Sequence, residues 1–338
     1  MSNASGPMCQ IIAEAGVNHN GSPELAFRLV DAAVAAGAHI VKFQTFKADK
    51  LVTKDAPKAA YQKRNMGGDA GQYAMLKALE LDDAVFKELI GYCAKQRIGF
   101  LSTPFDADSA RFLAEAGMPA FKVSSGDLTN LPFLRELAQY GLPMILSSGM
   151  ATLAELDDSV SALDRAGIGL DKLTLLHCTT EYPAPAAEVN LKAMLTIRAA
   201  YPGATTGYSD HTQGIHIPVA AAALGAEVLE KHFTLDRTMD GPDHKASLEP
   251  GELKAMVEQV RAVTEALGDG RKIPTASELP NRLVARKSIV AARDIKAGEI
   301  MTADNLTARR PGDGLSPMRW DEMVGQPAPR NLKANDKL

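Results

Sequence analysis

The sequence predicts an α/β protein made of a (β/α)8 TIM barrel followed by a small β-rich domain. An apolar, β-rich run followed by a helical pattern recurs eight times, and each run ends in polar residues. The repeat then stops at a segment rich in Gly and Pro, after which only short β runs follow. Eight such units in about 260 residues suit a (β/α)8 barrel, whose sites lie at the C-terminal ends of the strands. A doubly wound sheet is the alternative, but no Gly-x-Gly-x-x-Gly follows the first strand.

Eight candidate strands define the predicted barrel domain, residues 8–267. They are Gln10–Gly16, His39–Thr45, Gly99–Phe105, Ala120–Ser125, Pro143–Gly149, Leu173–Thr179, Thr205–Asp210 and Val228–Thr234. A long polar stretch, Lys47–Gln72, interrupts the rhythm after the second strand. Long loops at a barrel mouth commonly act as lids or substrate loops, so we expect this one to cover the site.

The C-terminal part of the chain has a different pattern. Residues 268–283 have the composition of a linker, and residues 284–338 contain two short β runs, Ser288–Ala291 and Leu306–Arg309. A domain of about 55 residues is marginally stable alone. We therefore expect it to pack against the barrel or a neighbouring subunit.

Composition and charge argue against several classes of protein. A formal net charge of −4 gives no basic field for nucleic acid. No apolar run approaches the roughly 18 residues of a membrane helix, and the first residues lack the pattern of a signal peptide. The three cysteines are scattered without metal-type spacing, which is typical of a reducing compartment. We expect a cytoplasmic protein without nucleic-acid or membrane partners.

Ammonium and hydroxyl groups are predicted to converge at the strand ends. They belong to Lys42, Lys122, Thr103, Ser125, Ser147 and Ser209. Point charges supplemented by hydrogen bonds bind phosphate and carboxylate groups, so this set predicts an anionic substrate. The alternative interpretation of a single lysine at a strand end is a solvated surface group. This interpretation is harder to maintain for two lysines among hydroxyl-rich neighbours.

Two histidines follow consecutive strands and predict a metal site. His211 closes the seventh strand, and His232 lies in the eighth, at the start of the chemically rich stretch Val228–Lys245. Two imidazoles would leave coordination positions open to water and substrate, as Lewis-acid catalysis needs. The alternative is a pair of hydrogen-bonded structural histidines. His177 is ambiguous in the same way.

Several acids and one tyrosine complete the candidate set. Carboxylates near a phosphate site can share proton transfers, but each can equally form a structural salt bridge with Lys or Arg. Tyr182 could bind a ligand or cap its loop. The acids are Glu14, Asp127, Glu181, Glu230 and Asp243.

Motifs along most of the chain resemble the sialic acid synthases. Their strings in this sequence are Ile12–Gly21 (IAEAGVNHNG), Val41–Thr45 (VKFQT), Ser102–Phe105 (STPF), Lys122–Asp127 (KVSSGD), Ser148–Met150 (SGM), Gly207–His211 (GYSDH), Glu230–Thr234 (EKHFT) and Gly241–Ser247 (GPDHKAS). The segments Ala285–Ile289 and Arg310–Pro317 resemble the antifreeze-like (SAF, β-clip) domain of that family. The spelling of Phe43–Lys50 and Gly241–Pro250 is similar to that of bacterial N-acetylneuraminate and N,N'-diacetyllegionaminate synthases.

The resemblance implies a transferase that condenses phosphoenolpyruvate with an N-acetylated hexose and releases phosphate. N-acetylmannosamine is the main expectation for the acceptor, which makes the chain an N-acetylneuraminate synthase. The alternative acceptor is 2,4-diacetamido-2,4,6-trideoxymannose, the precursor of N,N'-diacetyllegionaminate. A metal-dependent phosphosugar aldolase, or a carbohydrate- or ice-binding module with a vestigial barrel, are the rival interpretations. The family also implies a divalent metal, Mn2+ before Mg2+ or Co2+, and a domain-swapped homodimer.

Residue roles follow from the same resemblance. Phosphoenolpyruvate would be held by Lys42, Thr103, Lys122, Ser125, Ser147 and Ser209. His211 and His232 would hold the metal, and Glu14 and Asp243 would serve proton transfer or the attacking water. Further substrate contacts are assigned to Asn65, Asp127, Thr180 and Tyr182, while Arg310 would reach the sugar N-acetyl group in the partner subunit.

Overall fold

Eight parallel strands form the centre of the first of two units into which the chain divides, residues 1–269 and 270–338. The computed structural model describes residues 9–66 and 71–338. Residue 8, where the barrel domain was predicted to begin, lies outside this range. The strands are β1 (Gln10–Gly16), β2 (Ile40–Thr45), β3 (Gly99–Pro104), β4 (Phe121–Val123), β5 (Met144–Ser147), β6 (Leu173–Cys178), β7 (Thr205–Asp210) and β8 (Val228–His232).

The strand order closes the sheet on itself. Hydrogen-bonded neighbours run β3-β2-β1-β8-β7-β6-β5-β4, and β3 and β4 are also in contact. This nearly closed barrel confirms the predicted (β/α)8 fold and excludes the doubly wound sheet. The strands are apolar on both faces, as in Ile11, Ile12 and Ala13, because helices cover the outside while side chains fill the inside.

Helices alternate with the strands and cover the barrel. In the first unit they are α1 (Pro23–Ala36), α2 (Ala48–Leu51), α3 (Ala60–Met66), α4 (Gln72–Leu79), α5 (Asp83–Gln96), α6 (Ala107–Glu115), α7 (Leu131–Ala138), α8 (Leu153–Arg165), α9 (Lys192–Ala200), α10 (His216–Ala223) and α11 (Pro250–Leu267). Local signals set their ends: α1 follows Ser22, which accepts a hydrogen bond from the Leu25 amide, and stops at Gly37 with φ 78°. None of the described helices is long and apolar enough to cross a bilayer.

The long stretch after β2 is not a simple polar loop. Within Lys47–Gln72 the chain forms α2, α3 and the first residue of α4, and residues 67–70 lie outside the described range. The helices form because Met75 and Leu79 of α4 pack with Val17 and Phe46 at the end of the barrel. An apolar cluster therefore anchors the insertion beside the strand ends.

The second unit is β-rich, as predicted. Strands β9 (Ser288–Ala291) and β10 (Leu306–Arg309) pair antiparallel around a small core that includes Ile289, Met301 and Leu332. The unit also contains α12 (Glu278–Ala285) and α13 (Trp320–Met323). Helix α12 begins inside residues 268–283, which composition alone assigned to a linker, so that segment is partly helical.

Candidate active site

A cavity of about 340 Å³ opens at the C-terminal ends of the strands and gathers most of the predicted site. The predicted residues that line it are Glu14, Lys42, Thr103, Lys122, Ser125, Ser147, Thr180, Tyr182, Ser209, His211, His232 and Asp243. A larger cleft of about 860 Å³ lies between the segments after β5 and β6. That cleft lacks Glu14, Lys42, Lys122 and Asp243 and both predicted metal ligands, so the smaller cavity is the candidate active site.

Strand register explains why these side chains meet. In the sheet, Glu14 of β1 is level with Lys42 of β2 on one side and with His232 of β8 on the other. Ser209 of β7 is likewise level with Glu230 of β8. Since alternate residues of a strand share a face, Glu230 and His232 point the same way into the barrel mouth.

Two buried lysines form a cationic centre in this cavity. Nζ of Lys42 lies 2.6 Å from Oε2 of Glu14 and donates to Oγ1 of Thr103 at 3.1 Å. Nζ of Lys122 donates to Oγ of Ser147 at 2.6 Å. Both ammonium groups are almost fully buried. Each ammonium group therefore donates to hydroxyl or carboxylate oxygens. An anionic ligand can replace these acceptors or bind beside them.

Glu230 lies between the two lysines. Its carboxylate oxygens are 3.8 Å from Nζ of Lys42 and 3.7 Å from Nζ of Lys122, and it accepts a hydrogen bond from Ser209 at 2.9 Å. Burial raises the pKa of Glu230, but Lys122, Lys42 and the hydrogen bond from Ser209 act together in the opposite direction and hold the pKa below its ordinary value. Glu230 is therefore the ionised carboxylate that balances the lysines when no ligand is bound.

Glu14 behaves differently although it touches Lys42. Burial raises the pKa of Glu14 to about 7; Lys42 opposes this shift and Glu230 adds to it. Two neighbouring buried carboxylates cannot both ionise without a large penalty in free energy, and here it is the pKa of Glu14 that rises. The pair thus offers one group that is ionised and one that gains or loses a proton near neutral pH.

The rings of the two predicted metal ligands are neighbours, with centroids 5.3 Å apart and planes inclined by 61°. Nδ1 of His211 donates to the carbonyl oxygen of Thr179 at 2.6 Å, which leaves Nε2 without a proton. Nδ1 of His232 is buried and has no hydrogen-bond partner among the residues that the structure describes. Burial lowers the pKa of His211 to about 4 and that of His232 well below its ordinary value. Both rings are neutral at pH 7, the form that binds metals.

The donor set around these histidines is open. Across residues 9–66 and 71–338, no group of three or more His, Cys, Asp or Glu side chains is placed so that it could hold a metal ion. Asp243 is the nearest acid, with Oδ2 3.9 Å from Nδ1 of His232, and burial raises its pKa to about 6. Two neutral imidazoles, one with an unpartnered nitrogen, fit a divalent ion that takes its remaining ligands from water and substrate.

Tyr182 and Thr180 occupy the rim beside the histidines. The Tyr182 ring lies 4.1 Å from that of His211 and 4.8 Å from that of Tyr61 on α3, centroid to centroid. A Cβ atom at Gly149 would lie 2.2 Å from Oγ1 of Thr180, so this position has no room for a side chain. The amide of Gly149 instead donates to Oγ of Ser125 at 3.0 Å.

Three predicted substrate contacts do not line the cavity. The carboxylate of Asp127 accepts hydrogen bonds from Ser124 at 2.8 Å and Asn130 at 3.1 Å, which stabilise the turn after β4. The amide of Asn65 donates to the carbonyl of Pro242 at 2.7 Å and to that of Tyr182 at 3.4 Å. Arg310 is an exposed residue of the second unit.

Glu230 and Gln44 also line the cavity, although the sequence left Glu230 as a candidate acid without an assigned role and gave Gln44 none. The amide of Gln44 donates to Glu14 at 3.3 Å. A usable signal existed for both, because Gln44 shares a strand face with Lys42, and Glu230 shares one with His232. A structural salt bridge was the alternative to proton transfer that the sequence left open for Glu230. Glu230 does form salt bridges with two lysines, and they lie inside the cavity.

Known proteins are similar to this chain over most of its length. The chain is 51% identical to an N,N'-diacetyllegionaminic acid synthase of Campylobacter jejuni, over 97% of this chain and 98% of the relative. It is 45% identical to the N,N'-diacetyllegionaminic acid synthase of Legionella pneumophila, over 98% of this chain and 93% of the relative. A crystal structure of N-acetylneuraminic acid synthetase from Leptospira borgpetersenii matches with a TM-score of 0.71 and 35% identity, covering 83% of this chain and 93% of the other.

Family models match the two units in order. The model of the SAF domain matches residues 286–338, in agreement with the β-rich second unit. The model described as the NeuB family matches residues 29–272, which include seven of the eight barrel strands. With this match and with relatives at 51% and 45% identity along almost the whole chain, the protein belongs to the NeuB family.

Proposed function

We propose that this protein condenses phosphoenolpyruvate with 2,4-diacetamido-2,4,6-trideoxymannose, forming N,N'-diacetyllegionaminate and releasing phosphate. As a member of the NeuB family the protein is an enzyme, a transferase. The observation that supports the chemistry best is the pair of buried lysines beside two neutral histidines in one cavity. The 51% and 45% identities favour this acceptor over N-acetylmannosamine, the main expectation from the sequence, because the N-acetylneuraminic acid synthetase is more distant at 35%.

Lys42 and Lys122 are the groups we assign to the phosphate and carboxylate of phosphoenolpyruvate. Each ammonium group already donates to a strand-end hydroxyl, Thr103 or Ser147, so those hydroxyls would orient the same anion. Ser209 and Ser125 extend this hydroxyl set around the cavity. Holding two substrates in a defined geometry can remove about 7 to 11 kcal/mol from the barrier in favourable cases.

His211 and His232 are the residues we assign to a divalent metal, with Mn2+ as the first candidate and Mg2+ or Co2+ as alternatives. A bound ion of this kind polarises a carbonyl oxygen as a Lewis acid. The protein's part is to keep both rings neutral by burial and to fix the ring of His211 through the Thr179 carbonyl. Two imidazoles and open positions suit several divalent ions.

The reaction forms a carbon–carbon bond and a carbon–oxygen bond to water, and it breaks the carbon–oxygen bond to phosphate. C3 of phosphoenolpyruvate attacks the sugar aldehyde carbon, and the aldehyde oxygen takes up a proton. Positive charge develops at C2, where water adds and gives up one proton; its second proton goes to the departing phosphate as C2 becomes the ketone. We assign the proton transfers to Glu14 and Asp243, whose pKa values of about 7 and about 6 suit exchange near neutral pH. Glu230 stays ionised and favours the charge at C2.

A homodimer is the assembly we propose. Leu279, Leu283 and Val284 of α12 are 52%, 58% and 68% exposed, so the rest of the second unit leaves an apolar helix face uncovered. Arg310 is the residue of this unit that we assign to the N-acetyl group of the sugar in the partner's cavity. The three cysteines are free and buried, which supports a cytoplasmic location.

The decisive experiment measures phosphate release from phosphoenolpyruvate with Mn2+ and each of the two sugars at matched concentrations. Faster turnover of 2,4-diacetamido-2,4,6-trideoxymannose is the expected result. Faster turnover of N-acetylmannosamine would reassign the protein as an N-acetylneuraminate synthase. Absence of phosphate release with both sugars would contradict the proposal and return attention to the phosphosugar aldolase.

A further inference from the structure

A fully buried ion pair links β7 and β8 directly behind the two histidines. Nζ of Lys231 lies 2.5 Å from Oδ2 of Asp210, and neither side chain has any solvent exposure. Asp210 and Lys231 are level in the sheet, and they immediately precede His211 and His232. Because strand side chains alternate, this pair points away from the cavity that Ser209 and Glu230 line. It therefore cannot act on a substrate directly.

Lys231 binds both residues that flank His211. Besides the carboxylate of Asp210, its ammonium group donates to the carbonyl oxygen of Thr212. The Asp210 carboxylate in turn accepts hydrogen bonds from Oγ1 of Thr212 and from the hydroxyl of Tyr208, each at 3.0 Å. Lys231 immediately precedes His232 in the chain. Its ammonium group therefore links the backbone next to His232 to Asp210 and Thr212, the residues on either side of His211.

Stability alone is a weak reason for such a pair. Removing two charges from water costs several kcal/mol per ion, and well-packed apolar side chains in their place are often equally stable or better. Apolar contacts are not directional, whereas hydrogen bonds fix the position and orientation of the backbone segments that they join. We infer that Lys231 and Asp210 are positioning residues that set the spacing and orientation of His211 and His232 for a divalent cation. This inference rests on the proposed function, which assigns the cation to those two histidines.

The test uses the full-length double variant Asp210→Asn/Lys231→Met. It removes both charges together, so no unpaired ion is buried, and Met retains the volume of the lysine stem. The dissociation constant of Mn2+ alone is measured by titration calorimetry on metal-free protein without substrates. We expect affinity to fall about 10- to 100-fold, as is typical when groups supporting metal ligands are lost, while the circular dichroism spectrum is unchanged.

A matched control removes an ion pair on other elements of the barrel. Lys47 pairs with Asp83 at 2.9 Å, and both side chains are partly exposed. The double variant Lys47→Met/Asp83→Asn should therefore keep the wild-type affinity for Mn2+. A second probe, Lys231→Arg, keeps the positive charge but spreads it over a larger planar group, and it should also weaken Mn2+ binding in a folded protein.

The outcomes separate this inference from the assignment of the metal site. If His232→Ala binds Mn2+ as tightly as wild type, the metal site itself is misassigned and the inference falls with it. If His232→Ala loses affinity but Asp210→Asn/Lys231→Met keeps it, only the positioning role is overturned. Loss of the fold in both the double variant and Lys231→Arg would assign the pair to barrel stability and also overturn the inference.

Discussion

The ammonium group of Lys122 lies 3.7 Å from the carboxylate of Glu230, and at most 5% of either side chain is exposed. A second ammonium group, that of Lys42, is 3.8 Å from the same carboxylate. The negative charge of Glu230 therefore offsets the repulsion between the two buried ammonium groups of the ligand-free protein. We call this its shielding role. A substrate anion that enters the cavity can take over part of this shielding, which connects the stability of the barrel mouth to ligand binding.

Replacing Glu230 with Gln should destabilise the ligand-free protein. The change keeps the shape of the side chain but leaves Lys42 and Lys122 with one counter-charge fewer in a dry site. Thermal unfolding should show a lower Tm for Glu230→Gln, and added phosphoenolpyruvate should raise Tm more in the variant than in wild type. An equal ligand-induced shift in both proteins would contradict the shielding role.

Lys122→Met should weaken phosphoenolpyruvate binding. A hydrogen bond to a charged group is worth about 1.5 to 3 kcal/mol, so the phosphoenolpyruvate KM should rise by about 10- to 150-fold. The control is Lys172→Met, because Lys172 is exposed and donates to the carbonyl of Gly141. An unchanged phosphoenolpyruvate KM in Lys122→Met would remove this lysine from the anion site.

Glu14 should make stability depend on pH. Burial raises its pKa in the folded protein from 4.5 to about 7. Below pH 4.5 the carboxyl is protonated in both states, whereas between pH 4.5 and 7 only the unfolded chain releases the proton. Its contribution to the free energy of unfolding therefore falls as pH rises through this window and stays low above it.

The variant Glu14→Gln isolates this contribution, because the amide does not titrate. Urea unfolding of metal-free protein from pH 5 to 8 should show the variant gaining stability relative to wild type up to about pH 7. A difference that does not change with pH would mean that Lys42 keeps Glu14 ionised throughout.

His232→Ala should lose both Mn2+ affinity and phosphate release. The variant removes one of two imidazoles that burial keeps neutral and available. His216→Ala is the control, because His216 is exposed at the start of α10. Full activity of His232→Ala without added metal would contradict the metal assignment.

Arg310→Ala should raise the KM for the sugar and leave the KM for phosphoenolpyruvate nearly unchanged. The reason is that Arg310 is assigned to the N-acetyl group of the acceptor and to no part of the anion site. Arg319→Ala provides the control, because Arg319 is in the same unit and pairs with Glu322. The reverse pattern of KM changes would mean that the second unit serves a different role.

The sequence by itself determined the number of strands, their polar ends and the change to a β-rich unit. These features are local: an apolar run, a two-residue alternation or a turn residue acts within a few positions of the chain. The same alternation placed Lys42 and Gln44 on one face, and the polar strand ends and the loops after them pointed to twelve residues that line one cavity.

The tertiary structure decided which of these groups touch and how they are charged. Closing the barrel brings Lys122 of β4 to Glu230 of β8 and Lys231 to Thr212, and no pattern along the chain specifies such distances. It also directs Asn65 to the backbone of Pro242 and Asp127 to the turn after β4, so neither of these two residues lines the cavity. The raised pKa of Glu14 and the lowered pKa of His232 arise from burial, which exists only once the surrounding strands have packed and excluded water.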